Sequence, residues 1–379
     1  MTQPFAFATA TEILFGRGQA MQAAGRIAAM GSRVLLVQGG NPARSDWLSA
    51  ALTGCKVTRF SVPREPDVPL VQAGVDLARK AGVQVVVALG GGAVIDAGKA
   101  IAALVPAPRP MMDHLEVVGL GLPLDVPPLP FVAMPTTAGT GAEVTCNAVI
   151  GVPDHARKVS LRDLRMLPRL AVVDPALTDG CPKAITLASG LDAITQVIEP
   201  YVSTRANPMT DLLCRDAIPR GLLALTRLMA GEDSAARDEM AWVSLCGGIA
   251  LANAGLGAVH GLAGPLGGLT GAAHGAICGA LLPHVLVANR AAVADPARLD
   301  QVGRWIGQTF GLADISLPNA AQHLAAWARQ QGLPKLTEMG IDRAAQSVAA
   351  DAASTSSSMK ANPAPLSADV LRSIMEQAG

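Results

Sequence analysis

The β-branched runs of this chain all fall before about residue 176, and beyond that point apolar residues recur at helical spacing almost to the end. This change of texture confines the fold to an α/β half followed by a helical half. RVLLV (33–37), QVVVALG (84–90), PFVAMP (130–135) and LAVVDP (170–175) read as short strands. PLVQAGVDLARKAG (69–82) and AVIDAGKAIAALV (93–105) read as helices between them. Strand and helix alternating at this rhythm predict a largely parallel sheet with helices on both faces. Later segments such as 186–203, 207–229 and 234–255 carry helical periodicity; Asn207 before Pro208 marks a helix start, and Ser367 caps the last helix. The expected division is an α/β domain over 1–178 and an all-helical domain over 179–379. The cleft between them is the expected ligand site.

Charge narrows the partners. Lys plus Arg and Asp plus Glu number 30 each, with no basic stripe, which argues against nucleic acid. No apolar run reaches about 18 residues, and the N-terminus lacks a basic segment ahead of an apolar one, so no membrane role is expected. The six cysteines form no CxxC pair and read as ordinary buried thiols of a reducing compartment. The expectation is a cytoplasmic protein with a small-molecule substrate.

Two loops and four side chains carry the chemistry. Gly90, Gly91 and Gly92 stand between a buried strand and a helix. Without Cβ atoms they let backbone N–H groups approach an anion, and the helix N-terminus adds a favourable dipole, so a diphosphate fits. GxGxxG fails because Ile95 occupies its third glycine position, and the P-loop fails at Ala93 and Ala100. A bare strand-to-helix turn would look similar. MPTTAGTGAEVT (134–145) also follows a strand and offers Thr136, Thr137 and Thr140; an ST-rich turn is the plain alternative. Two such loops at the ends of parallel strands favour a shared dinucleotide site. Further on, Asp192 and Gln196 are one helical turn apart, and His260 and His274 follow fourteen residues from each other. A carboxylate and two imidazoles suffice for Zn²⁺ or Fe²⁺ and leave room for a substrate oxygen.

These segments together resemble a known family. GGGAVIDAGK is similar to the GGGSxxDxxK motif of the iron-containing (group III) alcohol dehydrogenases, and PTTAGTGAEVT to their PTTAGTGSEVT, with Ala142 for Ser. GLDAITQVIEPYVS resembles their GxDAxxHAxExYxS helix, and AVHGLAGPLGG and AAHGAICGALLPH their two histidine segments. The match runs from FGRG (15–18) to MKANPAPLSADVLRSIM (359–375). The resemblance implies a dehydroquinate synthase-like fold and NAD- or NADP-linked interconversion of alcohols with aldehydes or ketones. It implies Gly90, Gly91, Gly92 and Asp96 around the diphosphate, Thr136, Thr137 and Thr140 on the nicotinamide side, and Lys158 and Leu177 near ribose and adenine. It also implies an Fe or Zn ion on Asp192, Gln196, His260 and His274, and a homodimer.

Two positions depart from the family pattern. Gln196 stands where a third histidine is usual, and an amide oxygen is a poorer ligand. Gly264 stands where the family often has a histidine implicated in proton transfer. Three readings follow: a retained metal; a metal-free reductase of maleylacetate reductase type, with His260 or His274 acting directly on the carbonyl; or a decayed redox site. A lyase like 3-dehydroquinate synthase is a further alternative, but residues 244–288 contain no Lys or Arg for a phosphorylated substrate. The turn Gln38-Gly39-Gly40-Asn41, with Arg44 close by and no acid before Asp46, predicts that NADPH is accepted. His284 is expected as a core or capping residue, His114, His155 and His323 as solvated, and Glu199 and Asp211 in surface or cap roles.

Overall fold

The structure, a computed structural model, describes residues 4–155, 157–354 and 356–379. Its first unit contains β1 (Ile13–Phe15), α1 (Gln19–Met30), β2 (Arg33–Gln38), α2 (Asp46–Ala51), β3 (Lys56–Ser61), α3 (Val68–Ala81) and β4 (Val85–Gly90). It continues with α4 (Gly92–Leu104), the short α5 (Met111–His114), β5 (Phe131–Pro135), β6 (Asn147–Val152), β7 (Arg157–Arg162) and β8 (Leu170–Val173). Six strands form one parallel sheet in the order β1-β8-β5-β4-β2-β3, and β6 and β7 pair as an antiparallel ribbon.

The alternation of side chains across the pleat builds two cores from the same strands. Val34, Leu36, Val85, Val87, Val132 and Met134 pack on one face with Ala20 and Ile27 of α1. Leu35, Val37, Val86, Ala88, Phe131 and Ala133 pack on the other with Val71 of α3 and Ile95 and Ile101 of α4. Both faces being covered explains why β2 and β4 read as continuous apolar runs. β1 and β3 escape that signal. β1 is three residues long, and β3, an edge strand, alternates exposed and half-buried positions in KVTRFS. The ribbon strands mix polar and apolar residues for the same reason.

The chain leaves β2 toward β3 on one side, whereas β4 leads to β5 on the other. The strand order therefore reverses between β2 and β4, where open parallel sheets bind ligands beyond the strand carboxyl ends. The registers Gln38↔Leu89 and Gly90↔Pro135 bring the three following loops side by side.

Of the described residues, the second unit takes in 4–8, Ala138–Thr140 and those from Gly180 to Gly379. Its helices are α6 (Lys183–Val202), α7 (Pro208–Ala230), α8 (Ser234–Ala254), α9 (Ala258–Thr270), α10 (His274–Ala292), α11 (Ala297–Thr309), α12 (Leu317–Gln330), α13 (Arg343–Ala353) and α14 (Ala368–Gln377). Asn207 and Thr210 form a reciprocal capping box at α7, and Ser367 accepts the Val370 N–H at α14. Asn253 bonds Ala8 through both backbone groups, which ties the N-terminal segment to this unit. From Gly190 to Val202 every residue of α6 is buried, and α7, α8 and α10 pack around it. Among the described residues one helix, α10, is long and apolar enough to cross a membrane; most of it is buried in the helical core.

Candidate active site

Beyond the carboxyl ends of β2 and β4 lies a cavity of about 550 Å³, lined by Gln38 to Asn41, Arg44, Ser45, Leu89 to Gly91, Thr136, Ala176, Leu177 and Asp179. That volume falls within the usual range of ligand clefts. Gly91 precedes α4 in extended conformation, and no side chain caps the helix, so its first N–H groups remain available to an anion. Gly90 must be glycine for packing, since a Cβ there would lie 2.5 Å from Val94. Gly91 is different, because a Cβ would meet only Thr137, at 3.4 Å. Of the residues expected at the cofactor, Gly39, Gly90, Gly91, Thr136 and Leu177 line this cavity, and Gly92 and Thr137 adjoin it in sequence. Asp96 and Lys158 do not line it. Asp96 accepts the Val149 N–H of β6 at 3.1 Å, and Lys158 pairs with Glu65. Thr140 belongs to the helical unit.

Lys99, quoted above only as part of a motif, supports the polar loop after β5. Fully buried, it donates to Ala142 O (2.7 Å), Thr145 Oγ1 (2.9 Å) and Asn147 O (2.8 Å). Burial pulls its pKa down to about 8 against the pull of nearby acids. Burial likewise pushes the neighbouring Glu143 carboxyl up to about 7.

The second constellation lies wholly in the helical unit. Asp192, Gln196 and Glu199 share one face of α6. His260 sits in the first turn of α9 and His274 opens α10. Packing of glycines sets this convergence. A Cβ at Gly275 would collide with the Ala188 carbonyl, and one at Gly279 would lie 2.6 Å from Leu191. These two glycines let α10 cross close to α6, and the residue before each of them, His274 and Cys278, then reaches Asp192.

His260 Nε2 lies 3.3 Å and His274 Nε2 3.9 Å from Asp192 Oδ1. Cys278 Sγ is 3.9 Å from His260 Nε2 and 3.6 Å from His274 Nε2. One donor atom from each of these four residues lies within 4.8 Å of the others. Glu199 completes the arrangement. Its Oε2 accepts the His260 Nδ1–H at 2.6 Å, and its Oε1 accepts the Val259 N–H at 2.7 Å. It therefore caps α9, whose own N-cap residue Gly257 offers no side chain, while Asn362 caps the adjacent Ala258 N–H at 3.0 Å. A carboxylate behind an imidazole turns the other ring nitrogen toward a metal and raises its basicity.

The residues fit a divalent cation on an observation of their own. Asp192 Oδ1 and Gln196 Oε1 are buried and have no hydrogen-bond partner. A buried carboxylate oxygen that makes no hydrogen bond and faces two imidazole nitrogens is costly to bury, and a cation between it and the imidazoles would offset that cost. Without a cation, protons take its place. Burial opposes charge on His260, yet Cys278, Glu199 and Asp192 together raise its pKa well above the ordinary value. Burial also opposes charge on His274, and Cys278 and Asp192 lift it to about 9.

Several expectations are corrected. Glu199 is no surface residue, being 4% exposed and bonded to His260. Asp211 is held in a half-buried ion pair with Arg298. His114 is buried against the Leu122 carbonyl, its Nδ1 at 3.1 Å, and His323 stacks on Phe310 with centroids 4.8 Å apart. His155 is exposed, and His284 is half-buried within α10. Cys278, expected as an ordinary buried thiol, stands in the cluster instead. Its signal was the four-residue step from His274 on one helix. Gly264 is not imposed by packing, since a Cβ there meets nothing within 4 Å.

One unit carries a parallel sheet with an anion-ready glycine turn and the other a carboxylate–imidazole cluster, the two elements of a nucleotide-linked oxidoreductase class. Known proteins resolve the class further. The family described as iron-containing alcohol dehydrogenase matches residues 10–175, and its C-terminal counterpart, described as Fe-containing alcohol dehydrogenase family, C-terminal, matches 186–379. A probable alcohol dehydrogenase EutG of Escherichia coli (strain K12) is 35% identical over 318 residues, spanning 83% of this chain and 78% of its own. Lactaldehyde reductase of the same organism is 35% identical over 310 residues, spanning 81% and 80%. A crystal structure of a 1,3-propanediol oxidoreductase superposes with a TM-score of 0.89 at 29% identity, covering both chains fully. The chain belongs to the iron-containing alcohol dehydrogenase family, and it is an oxidoreductase acting on CH–OH groups.

Proposed function

We propose that the chain interconverts a small, mostly neutral alcohol with its aldehyde or ketone, accepts NADP(H) alongside NAD(H), and holds a divalent metal on Asp192, His260 and His274. The observation that carries this reading is the buried Asp192 Oδ1, unpartnered yet 3.3 Å from an imidazole nitrogen that Glu199 orients. When bound, the metal would supply polarisation of the substrate oxygen, and the nicotinamide would supply or take the hydride.

The chain's own residues do the rest. Glu199 fixes the His260 tautomer, with Nδ1–H donated to the carboxylate and Nε2 turned to the cluster. His274, with 36% of its side chain exposed, is the open edge at which a substrate oxygen can arrive. The absence of Lys and Arg from 244–288 leaves an anionic substrate without a counter-charge and favours a neutral one. The glycine turn and the uncapped α4 N-terminus hold the diphosphate. Arg44 lines the same cavity, and Asp179, its acidic lining residue, is engaged by Arg17 at 2.8 Å. A 2′-phosphate therefore meets a cation and no free carboxylate there.

A homodimer is part of the proposal; β1, at a sheet edge, has a strand neighbour on one side only among the described residues. Six unpaired cysteines suit a reducing, cytoplasmic setting. The test mixes the protein with NADH or NADPH and a panel of aldehydes and ketones, and follows loss of the reduced-nicotinamide absorbance. Oxidation with both cofactors is expected, their preference differing by less than about a hundredfold, or ~2.7 kcal/mol. No oxidation with any carbonyl compound, with or without added Zn²⁺ or Fe²⁺, would contradict the proposal.

A further inference from the structure

We propose that Cys278 is a ligand of this metal, taking the coordination place that Gln196 vacates, so that the donor set is one carboxylate, two imidazoles and one thiolate. The proposal rests on the metal reading above.

Three observations carry it. First, Cys278 follows His274 by one helical turn, so the two project from the same side of α10, while Gly275 and Gly279 give the close approach to α6. Second, the distances suit a single ion. Ligands at usual zinc bond lengths around a tetrahedron stand about 3.3–3.6 Å apart. Four of the six separations here are 3.3 Å for Asp192–His260, 3.6 Å for Cys278–His274, and 3.9 Å for both Asp192–His274 and Cys278–His260, and all six fall within 4.8 Å, a spread that a bound ion would draw in by a few tenths of an ångström to about one. Third, charge balances. One carboxylate and one thiolate neutralise a divalent ion, whereas Gln196 can offer only a neutral amide oxygen, a weaker donor for these metals. A thiolate donor also biases the centre toward zinc over iron.

Gln196 Oε1, buried and unpartnered on the same helix face, is the competing fourth donor, and the experiment separates the two. The full-length protein is stripped of metal and titrated with Co²⁺, which reports sulfur ligation through a strong near-ultraviolet charge-transfer band. Stoichiometric uptake with that band is expected. Cys278→Ser should lose the band, whereas Gln196→Ala should keep it. A triple variant, Cys55→Ser, Cys146→Ser and Cys181→Ser, removes the half-buried thiols and should also keep it. Stoichiometric uptake without the band in the unmodified protein, or a band that survives in folded Cys278→Ser, would overturn the role of Cys278 and leave the metal reading intact. No uptake at all would overturn both. If Cys278→Ser does not fold, the unmodified protein and the triple variant still decide whether a buried thiolate binds the ion.

Discussion

The glycine-turn cavity and the carboxylate–imidazole cluster are built from different parts of the polypeptide. In the α/β unit the binding surface is mainly backbone: a glycine turn, an uncapped helix N-terminus and the ends of parallel strands. In the helical unit it is side chains, delivered by three helices whose approach depends on glycines facing elsewhere. A backbone-built site tolerates little change in its glycines and much in its surroundings. A side-chain site can exchange one donor for another if a suitable atom stands nearby. That contrast accounts for a glycine turn that keeps the family pattern and a carboxylate–imidazole cluster that departs from it at Gln196.

The contrast can be broken most forcefully at Asp192. Asp192→Ala should reduce kcat/KM by about a thousandfold or more, roughly 4 kcal/mol, while nucleotide binding measured by fluorescence titration stays unchanged. A parallel loss of nucleotide affinity would show that the two sites are not separately built.

Next in size is Lys99→Met, which removes three hydrogen bonds that the buried ammonium donates beneath the polar loop. It should cost about 3 kcal/mol in urea unfolding and leave metal content intact. Its neighbour Glu143 adds a pH signature. Burial holds its folded pKa at about 7, above the ordinary 4.5, so its contribution to stability is complete below about pH 4.5 and is lost as pH rises through 7. Glu143→Gln should flatten stability between those values, removing a slope worth roughly 3 kcal/mol at most. Equal slopes in the two proteins would remove this assignment.

Glu199→Gln should weaken metal binding by about 10–100-fold through loss of the carboxylate behind His260. Asp211→Asn, on the neighbouring helix, should leave metal affinity unchanged, and competition with a chelator reads both. The smallest effect distinguishes the two glycines of the turn. Gly91→Ala should lower nucleotide affinity by about tenfold without changing Tm, because its Cβ fits but blocks a bound anion. Gly90→Ala should lower Tm as well, through collision with Val94.

The same contrast explains what was legible in the sequence. The central strands were, because burial on both faces leaves unbroken apolar runs such as QVVVALG. Edge strand β3 and the β6–β7 ribbon were not, because half-exposed strands mix residue types. The glycine turn was legible because its requirement is local. Asp192, His260 and His274 were legible by residue type and resemblance. Glu199 and Cys278 were not, because a carboxylate on a helix and an isolated cysteine have many ordinary roles. Only the tertiary packing brings Glu199 to His260 and sets Cys278, one turn after His274 on α10, near Asp192 and His260. His114 shows the converse, a polar residue buried because a backbone carbonyl satisfies one of its ring nitrogens.

Elemental analysis of the purified protein, paired with turnover before chelation, after it and after metal return, tests the central claim most directly. The account predicts one divalent transition metal per chain, activity lost on removal and restored by Zn²⁺ or Fe²⁺. Metal-free protein that turns over at the undiminished rate would contradict it.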